Sequence, residues 1–211
     1  MQVEIWSDII CPWCYIGKKR FEMALANFSQ RDSVRVIWRS FELDPNAPSQ
    51  HPGTLDEHLA RKYGYSSQQA TEMIERVTGV AKEVGLEYHL NEAHPGNTFD
   101  AHRLLHFAAS QQLADQATER IMHAYFCEGL VVSDRMALTR LAPEFGMTAD
   151  EVLAMLESGT YSDDVRANEA RAAELGIAGV PFFVFNEKIG ISGAQSVEVF
   201  SKALLEASMD L

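Results

Sequence analysis

Cys11-Pro12-Trp13-Cys14 sets two thiols one helical turn apart in sequence, a spacing that serves disulfide exchange or supplies half of a zinc site. The segment follows an alternating run, so it sits where a strand would hand over to a helix. Pro12 suits the first helical turn, because the N–H it lacks would have had no intrahelical partner there. Cys11 then falls at the helix N-terminus, where unpaired N–H groups and the macrodipole favour negative charge. That raises the thiolate fraction and predicts Cys11 as the nucleophile, with Cys14 one turn inward as the resolving thiol.

The competing readings are weaker. A closed zinc site takes four ligands, and the one cysteine left over is Cys127. With three cysteines in all, a disulfide scaffold is excluded. Cys127 itself lies on a helical stripe and reads as a buried small hydrophobe. His102 and His106 are one helical turn apart but lack the intervening glutamate of a metalloprotease helix, so no metal is expected. Lys18, Lys19 and Arg20 read as a solvated helix face.

The elements that must position the cysteines follow from periodicity. Gln2–Asp8 alternates as a strand, and apolar residues recur at helical spacing from Ile16 to Phe28. Ser33–Phe41 is β-branched and aromatic, a second strand, which completes a βαβ unit with a right-handed crossover. Trp38 belongs to the core of that strand, while Trp13 and Phe41 could shape an apolar groove. From Asp44 the character changes. Met73, Val77, Val80, Ala81 and Val84 make one helical stripe, and Ala117, Ile121, Ala124 and Tyr125 another. Thr148-Ala149-Asp150-Glu151 is a capping box, and Gly176 a helix stop. Phe182–Phe185 and Ile189–Ser192 flank a turn at Asn186-Glu187-Lys188 and predict a hairpin. A last helix runs from Gln195 to about Ser208. The predicted organisation is an α/β domain of residues 1–43 and 178–211, interrupted by a helical insertion at 44–177 that includes a helix returning to the core. Val180-Pro181 reads, from spacing alone, as an ordinary turn proline. Ser192–Gln195 could cap the last helix or receive a carboxylate on its N–H groups.

Composition bounds the function. The 211 residues are 46% hydrophobic and 23% charged, an ordinary globular balance. A formal net charge of −12 argues against a nucleic-acid or anionic-membrane surface, and no apolar run is long enough to span a bilayer. The first residues alternate like a strand and lack the pattern of a leader, so a cytoplasmic protein is expected.

Four segments together resemble one family. They are Cys11–Gly17 (CPWCYIG), Arg39–Asn46 (RSFELDPN), Asn97-Thr98 with Ala101-His102-Arg103-Leu104, and Gly179–Val184 (GVPFFV) with Ser192–Gln195. As a set the chain resembles the DsbA family, specifically its FrnE-like branch. The resemblance implies a thioredoxin fold interrupted by a helical domain, with Pro181 cis beside the cysteines. It implies that the Val180 backbone pairs with a bound peptide or glutathione, and that Pro12, Trp13, His102 and Gln195 lie on the substrate side. The activity implied is thiol–disulfide exchange with a protein or small-molecule disulfide, with no cofactor, and with glutathione as an allowed co-substrate. Kappa-class glutathione transferases and 2-hydroxychromene-2-carboxylate isomerases are related but carry serine at the nucleophile position. Cys11 and Cys14 depart from that pattern and favour redox chemistry. A glutathione-dependent isomerase or transferase is the first alternative, and a redox-switched chaperone or binding module the second.

Overall fold

The computed structural model describes residues 1–209, which divide into two compact units: Met1–Leu43 together with the chain from Arg166 onward, and Asp44–Val165. In the first unit, β1 (Gln2–Ser7) leads into α1 (Pro12–Ala26) and then β2 (Arg35–Ser40). β1 and β2 pair in parallel, Val3 opposite Val36 and Ser7 opposite Ser40. The strand predicted from Ser33 begins two residues later because Arg31–Ser33 forms a turn of 3-10 helix.

Six helices build the second unit. They are α2 (Leu55–Tyr63), α3 (Ser67–Glu83), α4 (Phe99–Ser110), α5 (Ala114–Glu128), α6 (Arg135–Leu141) and α7 (Ala149–Glu157). The first stripe read from sequence falls on α3, where Val77 and Ala81 are buried, and the second on α5, where Ala117, Ile121, Ala124 and Tyr125 all are. The Thr148 box forms as expected, with its hydroxyl accepting from the Glu151 N–H and Glu151 reaching back. Arg103 on α4 is buried, and its guanidinium donates to the carbonyls of Met155, Leu156, Ser158 and Thr160 and to Asp100. The Met155, Leu156 and Ser158 carbonyls end α7, where the last turn of a helix leaves acceptors short of internal donors, and Thr160 lies just beyond.

The return to the first unit lies within α8 (Ser162–Glu174), whose residues from Arg166 belong to that unit. The sequence reading placed the boundary at residue 177. β3 (Phe182–Phe185) and β4 (Ile189–Ser192) form the predicted hairpin, and α9 (Val197–Met209) closes the described chain. The sheet order is β2-β1-β3-β4, with β3 antiparallel to β1 and to β4.

Alternation puts opposite residues of the strands on the two faces. Val3, Ile5, Phe183 and Phe185 share one face with Phe21 and Ala24 of α1 and Phe200, Ala203 and Leu204 of α9. The rings of Phe183 and Phe200 lie edge to face at 4.6 Å. Burying each such ring contributes about 1.5–3 kcal/mol, so α1 is held firmly on this face. Trp6 and Val184 turn to the other face, with Ala172 and Ile177. The Trp6 indole N–H donates to the Asn168 carbonyl at 3.2 Å, and the Asn168 side chain accepts from the Ser40 N–H at 3.1 Å. Glu4, buried on the same face, is held by the Arg39 guanidinium at 2.6 Å.

A dithiol at the head of α1

Asp8 turns the chain from β1 into α1. Its carbonyl accepts from the Cys11 N–H at 3.2 Å, and its carboxylate accepts from the Leu43 N–H at 2.7 Å. The exits of β1 and β2 are thereby tied to one residue. Cys11 is the N-cap of α1 with extended backbone (φ −86°, ψ 111°), and Pro12 occupies the first turn. The helix has no acidic residue in that turn and its N-cap makes no side-chain cap bond, and a helix end of this kind favours negative charge.

The Val180–Pro181 peptide bond is cis. The Cys11 thiol lies 3.6 Å from the Val180 carbonyl, as a weak S–H donor. Two further contacts fix this loop against the helix. The Gly193 N–H donates to the Pro181 carbonyl at 2.8 Å, and Arg20 donates to the Ala194 carbonyl at 2.7 Å. Gly17 permits the approach: a Cβ there would stand 3.0 Å from Pro181 Cγ and 3.4 Å from the Phe183 ring. A side chain at position 17 would require the Pro181 ring to give way by a few tenths of an ångström.

The two thiols differ in environment. Cys11 retains 4% of its surface and Cys14 only 1%. Burial pushes the Cys14 thiol well above the ordinary cysteine range, and the adjacent Cys11 sulfur adds to that; the Asp8 backbone N–H and the Ser7 hydroxyl act in the opposite direction. Cys14 is therefore held as a thiol beside a more accessible partner, the asymmetry that ordered exchange needs. Trp13 is exposed, Pro12 half-buried, and Leu43 exposed, leaving an apolar surface around the dithiol in the same unit.

Cys11, Cys14, Val180 and Pro181 come together. Gln195 is exposed before α9, where its side chain donates to the Ser192 carbonyl at 2.8 Å. His102 is buried on α4 of the second unit, and among the described residues no group of side chains is suited to a metal. Cys127 is half-buried rather than buried; desolvation and the charges of Glu128, Glu87 and Glu119 raise its pKa to about 11, which makes it a poor nucleophile. The basic run does not form a solvated face: Lys18 is buried and paired with Glu22, and Arg20 serves the loop. Asp8, Ser7 and Gly17 also carry parts of the site, though their types and spacing do not by themselves mark them. An aspartate at a strand-to-helix turn was the available signal.

Residues 2–205 match the family model described as DSBA-like thioredoxin domain. A probable DsbA oxidoreductase from Streptomyces coelicolor is 44% identical, its structure superposing with a TM-score of 0.95 over 100% of this chain and 91% of that one. An uncharacterised Bacillus subtilis protein, YwbO, is 29% identical over 206 residues, 97% of this chain and 96% of its own. 2-Hydroxychromene-2-carboxylate isomerase is 12% identical with a TM-score of 0.74, covering 100% of this chain and 97% of that one, a likeness of fold alone. Among the described residues no helix is long and apolar enough to cross a membrane.

Proposed function

Since the chain belongs to the DsbA-like thioredoxin-domain family, we propose that it is a thiol–disulfide oxidoreductase whose redox centre is Cys11 and Cys14. The observation that carries this reading is the placement of an N-capping Cys11 against the Val180 carbonyl, with Cys14 buried one turn behind it. In the reducing direction the Cys11 thiolate attacks one sulfur of a substrate disulfide. A Cys11–substrate disulfide forms, the substrate disulfide breaks, and one substrate thiolate leaves. Cys14 then loses its proton and attacks Cys11 Sγ, forming the Cys11–Cys14 bond and releasing the second substrate thiolate. In the oxidising direction every step runs backwards. No metal or organic cofactor enters.

The substrate class is a protein or small-molecule disulfide, with glutathione as the thiol that recycles the pair. The exposed Trp13 ring supplies apolar contact for a peptide, and Val180 supplies a main-chain edge beside the attacking sulfur. Direction is set by the reduction potential of the pair against its surroundings.

Equilibration in glutathione buffers of graded ratio, followed by alkylation of the unfolded chain and intact-mass counting of thiols, tests the reading. Two thiols should vanish together in one two-electron transition, with Cys127 remaining a thiol throughout. Loss of one thiol, or of none at any ratio, would overturn it.

A further inference from the structure

We propose that the Ser7 hydroxyl, paired with the Asp8 backbone N–H, is a donor site for the Cys14 thiolate and thereby sets the rate at which the Cys11 mixed disulfide is resolved. The inference rests on the dithiol–disulfide reading above and assigns a part in it to a residue outside the cysteine motif.

Ser7 is the last residue of β1, opposite Ser40 of β2 and 5% exposed. Its backbone is committed to the sheet, with the Ser7 carbonyl accepting from the Phe41 N–H at 3.2 Å. Its hydroxyl is not. Ser7 Oγ is sealed from solvent and makes no hydrogen bond of ordinary geometry. A buried hydroxyl in that condition is costly, and buried polar groups are overwhelmingly satisfied in folded proteins. The group that the hydroxyl acts on is the Cys14 sulfur, which the Asp8 N–H also addresses; both favour the ionised form.

A neutral thiol is a weak acceptor, whereas a thiolate is a strong one. The Ser7 O–H is therefore under-used while Cys14 is protonated and gains its partner when Cys14 ionises. Donors already in place where charge develops act without reorganisation, which is how a buried site stabilises an anion it must form only transiently. The requirement is particular to Cys14. Cys11 caps the helix, but Cys14 is its third residue, and the Cys14 N–H is already committed to the Cys11 carbonyl at 3.0 Å. Once Cys11 is in a mixed disulfide it carries no charge, so the repulsion it exerts on Cys14 is gone and burial is what Ser7 and Asp8 must offset.

In the resolving step the Cys14 proton passes to water, the Cys14 thiolate attacks Cys11 Sγ, the Cys11–Cys14 bond forms, and the substrate sulfur departs with the electron pair of the broken bond. Ser7 keeps its proton throughout. In the reverse step Cys14 is the leaving thiolate, and the same donors stabilise its departure.

The test uses the reduced full chain with Cys127→Ser, mixed in a stopped-flow instrument with 5,5′-dithiobis(2-nitrobenzoate). Attack by Cys11 releases one chromophore in a bimolecular phase, and resolution by Cys14 releases a second in a unimolecular phase. Adding Ser7→Ala should leave the first phase and the melting temperature as they were. It should slow the second by about threefold to tenfold at neutral pH, since a lost charge-assisted hydrogen bond lowers the thiolate fraction more than it raises intrinsic nucleophilicity. A second phase at the parent rate would overturn the inference, and so would equal slowing of both phases with a lowered melting temperature. A parent protein that gives the first phase and never the second would instead overturn the dithiol reading.

Discussion

Replacing Cys11 with serine is expected to reduce the catalysed reduction of insulin disulfides by about three orders of magnitude, to the background set by the reductant alone. Disulfide exchange needs a sulfur anion, and a serine hydroxyl at the same N-cap stays protonated at neutral pH. The helix N-terminus cannot compensate, because its field changes the acidity of whatever group is there without turning oxygen into a nucleophile suited to sulfur. The substitution keeps the cap: serine is a favoured N-cap residue, and Cys11 has no side-chain cap bond to lose. Melting should therefore be unaltered, which separates lost chemistry from lost fold. Retention of more than a tenth of the parent activity would show that another group carries the attack.

The largest effect on stability is expected away from the cysteines, at Arg103. Its side chain is 2% exposed and donates to the Met155 carbonyl at 2.9 Å, the Thr160 carbonyl at 2.9 Å and Asp100 at 2.6 Å, besides Leu156 and Ser158. Arg103→Ala removes the guanidinium from the Leu156, Ser158 and Thr160 carbonyls and leaves Met155 only the Ser158 N–H and hydroxyl, at a cost of about 3–5 kcal/mol. Asp100 does not add to this, because Arg135 still reaches it at 2.6 Å. A chain of this size should lose roughly 10 °C in melting temperature. Arg103→Lys keeps the charge but not the fork that serves several acceptors at once, so it should recover only part of the loss. A loss below about 1 kcal/mol in urea unfolding would mean that water replaces the guanidinium.

How far the sequence disclosed these features depended on whether a residue's task is local. Pro12 between the cysteines, the Thr148–Glu151 box and the turn at Asn186–Lys188 each act within a few residues of themselves, and each element formed where the pattern placed it. Arg103 appeared only as part of a family segment, since nothing in its neighbourhood tells that it ends a helix about fifty residues later. Lys18 was misread for a related reason. Cys14 through Lys18 are buried without interruption, so α1 has no polar stripe in its first turns, and charge alone gave a false indication of exposure. Gly17 and Pro181 are far apart in sequence, and their 3.0 Å limit exists only once β3 lies beside β1. Ser7 looked like one more polar position in an alternating strand.

The division of labour between the two cysteines is tested most directly by trapping. Cys14→Ala, reduced and then exposed to an excess of glutathione disulfide, should accumulate a single glutathione adduct that peptide mapping places on Cys11, while the parent protein passes through it to the internal disulfide. An adduct on Cys14 in the Cys11→Ala protein at a comparable rate, or no adduct on Cys11 in Cys14→Ala, would contradict the assignment of Cys11 as the attacking thiol and Cys14 as the one that resolves.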